Sequence, residues 1–183
     1  MNILDQIVLE KAAKLFYRTI IAKVIEPGLD EPADEQLTQV QLSCLRFAML
    51  HPESSVGDIA AGLLISDAAA AKLIDRLVRK NLLIREENST DRRVLKIILT
   101  KTSRKMLEEV NESEEKRFRE ILDRMKPEET QTLQNGLAAF LQAALETPED
   151  IERVCLKCGW GHLPDCLGNI RHQQLTGKDK ENY

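Results

Sequence analysis

Three cysteines and one histidine lie close together near the C-terminus of this chain of 183 residues. Cys155, Cys158, His162 and Cys166 form the pattern C-x2-C-x3-H-x3-C. Thiolates and imidazoles are ligands that a borderline-soft ion such as zinc prefers, and four of them fill a tetrahedral shell. The pattern therefore predicts a structural zinc site, with these four residues as its ligands.

Other interpretations of the same cysteines stay open. Three close thiolates and a fourth ligand could hold an iron–sulfur cluster, which would make the protein a sensor of oxidant or iron. A metal-free thiol switch could instead join Cys155 to Cys158 or Cys166 in a disulfide. The cysteines could also be incidental. The fourth cysteine of the chain, Cys44, lies in an apolar segment, and we expect it to be a core thiol.

The net charge of −4 hides a basic segment in the middle of the chain. Residues 72–105 carry 11 basic and four acidic side chains, whereas the segments on both sides are acidic. Such a block predicts one surface that meets an anion such as nucleic acid. The seven aromatic residues are too few for a single-strand binder that stacks bases. The sequence shows no nucleophile-and-base pair or glycine-rich phosphate loop, so we predict that the protein is not an enzyme.

The N-terminal residues and the hydropathy predict a cytoplasmic protein without membrane contact. The sequence MNILDQIVLE has acidic residues and no basic leader, which argues against a signal peptide. No stretch approaches the roughly 18 apolar residues of a spanning helix. In a reducing compartment, clustered cysteines favour metal or redox chemistry over structural disulfides.

The apolar periodicity predicts a mainly α-helical fold with a small two-stranded β wing. A helix, a second helix, a short helix, a turn and a further helix precede a hairpin with a charged tip, and this order is that of a winged helix-turn-helix. Two long helices follow. Glu114 interrupts the apolar stripe of the first of these, and the sequence offers no reason for it. From the second helix onward, the pattern predicts helices over 37–50, 67–80, 102–125 and 127–145, a two-turn helix after Ser55 that includes Val56 to Leu63, and strands over 82–84 and 94–99.

Residues 63–100, LLISDAAAAKLIDRLVRKNLLIREENSTDRRVLKIILT, resemble the MarR family of bacterial winged-helix regulators. The most specific part is Asp91-Arg92-Arg93, followed by an alternating strand and Leu99-Thr100. The long flanking helices also match, so that the resemblance covers about residues 1–145. It implies a homodimeric transcription regulator, in the first instance a repressor, that binds a palindromic operator in double-stranded DNA. It also implies a small-molecule effector that releases the DNA.

The resemblance and the cysteine pattern together imply five segments. The division is an N-terminal dimerisation helix over 1–30, a winged helix-turn-helix DNA-binding lobe over 31–101, long C-terminal dimerisation helices over 102–146, a Cys/His-rich metal-binding appendage over 147–168 and a mobile polar tail over 169–183.

The family pattern also implies which residues meet DNA. The wing aspartate of the family holds an arginine in the minor groove, so Asp91 is expected to orient Arg93, with Arg92 at the tip. Alanines 68–71 occupy the first turns of the recognition helix, where relatives more often carry polar base readers, and alanine cannot donate a hydrogen bond. Base readout is therefore expected from Ser66, Asp67, Lys72 and Arg76, with Lys96 of the wing on a phosphate.

A second class of function stays open at this point. The protein could be a metal-binding adaptor whose winged helix contacts other proteins and never touches DNA. The alanine-rich recognition helix favours this alternative, whereas the basic segment and the Asp91-Arg92-Arg93 wing oppose it.

Overall fold

The computed structural model describes residues 3–26, 37–87, 95–158 and 163–180. It confirms a mainly α-helical fold with a two-stranded sheet. No helix in these ranges is both long and apolar enough to span a membrane. The elements are α1 (Ile3–Ile20, continued by a π-helical turn Ile21–Ile25), α2 (Gln39–Leu50), α3 (Val56–Leu63), α4 (Asp67–Arg79), β1 (Leu83–Glu87), β2 (Leu95–Leu99), α5 (Lys101–Leu122), α6 (Pro127–Ala144), α7 (Pro148–Cys158) and α8 (Leu167–Thr176).

Serine caps fix the starts of α3 and α4, as their positions in the sequence suggest. Ser55 and Asp58 form a reciprocal capping box at α3, and the hydroxyl of Ser66 accepts the Ala69 N–H at 3.3 Å at α4. Leu64 ends α3 in the left-handed region with φ of 53°. These caps define the helix–turn–helix of α3 and α4.

The core of the lobe lies between α2, α3, α4, the β hairpin and the first turns of α5. Gly62 of α3 lies directly against the buried ring of Phe47 from α2, and a Cβ at this position would lie 2.0 Å from Cε2 of that ring. The close approach of α3 to α2 therefore requires glycine here. The fully buried apolar side chains of this core are Leu42, Cys44, Leu45, Ile59, Ile74, Leu77, Leu83, Ile97 and Leu107.

The hairpin is tied to the lobe on both sides. β1 and β2 pair antiparallel, from Leu83 opposite Leu99 to Glu87 opposite Leu95. On its other edge β2 receives the loop before α3, because the Ile97 N–H donates to the Ser54 carbonyl at 2.8 Å. Asn81 has φ of 56° where α4 meets β1, a left-handed conformation that asparagine tolerates better than most residues.

An ion pair inside the protein explains Glu114. The Arg46 guanidinium of α2 donates to the Glu114 carboxylate at 2.6 Å and to the Asn111 side chain at 2.8 Å. The Glu114 side chain is 5% exposed and that of Arg46 is 13% exposed. Arg117, further along α5, donates to the Val24 carbonyl at 2.6 Å. These contacts hold α5 against α2 and against the end of the N-terminal helix.

The C-terminal region differs from its expectation. The sequence predicted a mobile polar tail over 169–183, but α8 occupies most of its described part. Asn169 is fully buried and donates to the Pro164 carbonyl and the Asp179 carboxylate, and its own oxygen accepts the Lys180 N–H at 2.8 Å. These hydrogen bonds hold α8 to the residues on both sides of it. They involve polar groups, so the spacing of apolar residues does not predict them.

Candidate nucleic-acid interface and cysteine cluster

One face of α4 is basic and exposed. Lys72, Arg76 and Arg79 follow one another at intervals of four and three residues, so they lie on the same side of the helix, and all three are exposed. The exposed alanines Ala68 and Ala69 continue this face towards the N-terminus. The opposite side is buried in the core through Ala70, Leu73, Ile74 and Leu77. The sequence-predicted readers Lys72 and Arg76 are therefore brought together, and Arg79 lies beside them.

The other two predicted readers on α4 also start the helix. The Ser66 hydroxyl oxygen accepts the Ala69 N–H as the cap. Asp67 is exposed in the first turn, where a carboxylate suits the helix dipole. A negative charge at this end favours contact with a base amino group over contact with a phosphate.

An ion pair that the sequence does not predict joins α4 to β1. The Arg85 guanidinium lies 2.6 Å from the Asp75 carboxylate. Both side chains are partly exposed, so the pair adds at most about 1 kcal/mol of stability. The pair links β1 to α4. The two residues are ten positions apart across a helix–strand junction, and no periodic pattern marks such a pair.

Lys96 requires a correction. The sequence placed it on a DNA phosphate, but the residue is 7% exposed and its ammonium lies 2.7 Å from the Glu53 carboxylate. β2 lies between β1 and the 53–54 loop, and Lys96 faces that loop rather than solvent. In this structure Lys96 anchors the wing to the lobe and does not present its charge to a phosphate.

The predicted wing tip lies outside the described residues. Asp91, Arg92 and Arg93 fall in 88–94, between the end of β1 at Glu87 and the start of β2 at Leu95. Their roles stay predictions.

The three C-terminal cysteines lie around the junction of α7 and α8. Cys155 and Cys158 are three residues apart within the last turn of α7, which ends at Cys158. Cys166 caps α8, where its sulfur accepts the Asn169 N–H at 3.4 Å. A Cβ built on Gly168 would lie 3.2 Å from the Cys155 sulfur and 3.5 Å from the Cys166 sulfur. Both sulfurs therefore lie close to the position that a side chain at residue 168 would occupy.

The thiols are electrostatically distinct. The pKa of Cys155 is raised above its ordinary value, mainly by burial. The neighbouring thiols of Cys158 and Cys166 also raise this pKa, whereas Lys180 lowers it. Burial raises the pKa of Cys44 to about 12, as expected for an inert core thiol. Within the described ranges no three metal-ligating side chains already form a metal site. His162, the predicted imidazole ligand, lies outside those ranges.

The helix–turn–helix and most of the wing coincide with a known family pattern. Residues 35–94 match the family model described as MarR family. The lobe is therefore similar to those of the MarR family. It also aligns with the HTH-type transcriptional repressor MdtR of Bacillus subtilis (strain 168), with 34% identity over 87 residues. That alignment covers 47% of this chain and 56% of MdtR, so the chain spans little more than half the length of this curated relative.

Solved structures share the fold of the lobe and of the helices around it. The YusO protein of Bacillus subtilis is 26% identical, with a TM-score of 0.64, and the match covers 76% of this chain and 98% of YusO. FabT of Streptococcus pneumoniae, solved in complex with DNA, is 19% identical, with a TM-score of 0.61, and the match covers 75% of this chain and 94% of FabT. The similarity thus extends beyond the lobe to the helices that flank it.

Proposed function

We propose that this protein is a DNA-binding transcription regulator of the MarR type, acting as a repressor. The observation that carries the proposal is the exposed face of α4, where Lys72, Arg76 and Arg79 lie in a row while the opposite side packs into the core. A helix of this kind fits the major groove, where arginine and lysine bind guanine edges and phosphates. The repressor name of MdtR and the DNA complex of FabT support the same function.

The N-terminal part of α4 carries small alanine side chains, and this affects how the helix would contact DNA bases. Ala68 and Ala69 offer only methyl groups to the groove, which suit a thymine methyl and bring the helix backbone close to the bases. Hydrogen bonds to specific bases would then come from the polar side chains of α4 and from the wing. Part of the specificity is expected to come from the shape and deformability of the DNA.

A homodimer is part of the proposal. α1 has no buried residue in the single chain, although it carries many large apolar side chains. Monomeric proteins rarely leave so continuous an apolar surface in water. A second copy of the chain would cover it and would place two recognition helices on one face of the duplex, about 34 Å apart. The exposed apolar side chains of α1 are Ile3, Leu4, Ile7, Val8, Leu9, Leu15, Phe16 and Tyr17.

The proposal extends to a small effector. A cavity of about 250 Å³ lies among α2, the turn between α3 and α4, and α7, with Phe47, Ile65 and Leu156 in its wall and Arg46 beside them. The walls are largely apolar, with Gln39 and Ser43 as further polar groups, and the Arg46 charge is already paired with Glu114. Such a cavity suits a small, mainly apolar molecule. Because the cavity borders the turn of the helix–turn–helix, an occupant would be placed to alter the position of α4.

Selection of bound fragments from random duplex DNA tests the function. We expect enriched sequences with twofold symmetry and half-sites about 10 base pairs apart, bound by a species of twice the 20.8 kDa chain mass. Absence of DNA affinity even at low salt would contradict the proposal and favour the adaptor function.

A further inference from the structure

Two cysteines at the junction of α7 and α8 are not used by the proposed function. Cys155 lies in the last turn of α7, and Cys166 caps the start of α8. Both are reduced thiols, and both are partly exposed, so a small molecule in solution can reach them. The pair is therefore available for chemistry between two thiols.

Gly168, in the first turn of α8, marks the place where the two sulfurs come close together. A Cβ on this residue would lie 3.2 Å from the Cys155 sulfur and 3.5 Å from the Cys166 sulfur, so both sulfurs lie near one point. A glycine within a helix costs stability relative to alanine, and its presence here calls for a local reason. The close approach of α8 to Cys155 provides that reason, since a larger residue would crowd the sulfur.

The backbone of α7 makes Cys158 a poorer partner for Cys155. The two residues are three positions apart in one helix, a spacing that keeps their Cβ atoms about 5–6 Å apart. A disulfide requires Cβ atoms about 3.5–4.5 Å apart, so a bond between them would distort the last turn of α7. Cys166 comes from a separate helix, and this spacing does not restrict it.

We propose that Cys155 and Cys166 are a thiol oxidation site, at which a peroxide forms a disulfide between α7 and α8. One thiolate attacks hydrogen peroxide, the O–O bond breaks, and that sulfur becomes a sulfenic acid as the first water leaves. The other thiolate attacks the sulfenic sulfur, the S–S bond forms, and hydroxide leaves as the second water. The two thiols give up two electrons and two protons, and one peroxide is reduced for each disulfide.

The bond would join two helices that are anchored in different places. α7 contacts α2 and α3, and its Ile151 is fully buried. α8 is held at the end of α6, because Nε of Arg171 donates to the Leu145 carbonyl at 2.9 Å. Oxidation would therefore tie the helices of the lobe to the end of α6. The oxidation itself does not involve DNA, so failure of either proposal leaves the other testable.

Peptide mapping of the oxidised full-length protein tests the site. The reduced protein is treated with a small excess of hydrogen peroxide, and the remaining thiols are then alkylated. Trypsin and an Asp-specific protease together place the three C-terminal cysteines in separate peptides, 154–157, 158–164 and 165–171. We expect a disulfide between 154–157 and 165–171, an alkylated 158–164, and a product that migrates without reductant as a single 20.8 kDa chain.

Two serine variants provide a matched comparison. Cys166→Ser should abolish this bond, whereas Cys158→Ser is the control and should form it to the same extent as the wild type. Circular dichroism shows whether each variant is folded, and the wild-type map does not depend on either variant. A disulfide from 154–157 to 158–164 would overturn the proposal. So would cross-linked dimers as the sole product, or alkylation of all three cysteines after peroxide treatment.

Discussion

The buried pair between Arg46 and Glu114 gives the sharpest stability prediction. Replacing Glu114 by alanine removes the carboxylate that lies 2.6 Å from a guanidinium which is itself only 13% exposed. The arginine charge is then left in a poorly solvated site with the Asn111 side chain as its described partner. Breaking a buried pair from one side costs about 3–5 kcal/mol. That loss is a large part of the 5–15 kcal/mol that typically holds a domain together.

Urea denaturation followed by circular dichroism measures this effect, at one fixed protein concentration because a dimer's stability depends on concentration. Glu115→Ala is the matched control, since it removes an exposed glutamate from the neighbouring position of the same helix and should change stability by less than about 0.5 kcal/mol. The double variant Arg46→Met with Glu114→Leu removes both charges and should recover most of the loss.

The reasoning depends on desolvation of the pair, and the result can refute it. A Glu114→Ala cost below about 1 kcal/mol would match an exposed ion pair and contradict the burial argument. Additive losses in the double variant would show that the two residues do not act as one unit.

Three further predictions follow from the lobe. Gly62→Ala should lower stability by about 1–3 kcal/mol in thermal unfolding, because its Cβ overlaps the buried Phe47 ring; an unchanged melting temperature would show that the helices can separate without cost. Lys96→Met should lower the melting temperature while leaving the salt dependence of DNA binding unchanged, and a smaller salt slope would restore Lys96 as a phosphate contact. Hydrogen bonds from Ser55 hold the pKa of Asp58 below its ordinary 3.8, so the stability it adds is present above that value and is lost as the pH falls through the lowered pKa. Asp58→Asn should therefore lower stability near neutral pH by about 1 kcal/mol and reduce the acid dependence of melting, and an identical pH profile would exclude this role.

Local features of the fold were predictable from sequence. Ser55, Ser66 and Asn81 act over three or four residues through backbone groups, so their positions alone predict where helices begin and end. The order of helices and strands followed from periodicity for the same reason. The resemblance of residues 63–100 to the MarR family predicted a winged helix-turn-helix lobe, and the family model matches residues 35–94 of that lobe.

Features that depend on distant partners were not predictable. Glu114 interrupts the apolar stripe of α5 because it pairs with Arg46, which is 68 positions away in the chain. Lys96 is buried because the 53–54 loop covers its side of β2. The side-chain amide of Asn169 in α8 donates a hydrogen bond to Asp179, and the spacing of apolar residues does not predict such a polar contact. In each case the partner follows from tertiary packing, and sequence spacing does not determine it.

Salt-dependent DNA binding by two charge-reversed proteins tests the central claim most directly. Arg76→Glu places a negative charge on the exposed face of α4, whereas Arg124→Glu makes the same change just past the far end of α5, a helix about 33 Å long. Fluorescence anisotropy on a selected operator, from about 50 to 200 mM salt, gives affinity and slope for each. We predict that Arg76→Glu loses most of the affinity and reduces the salt slope, while Arg124→Glu behaves as the wild type. Equal behaviour of the two variants would contradict the assignment of α4 as the DNA-reading helix.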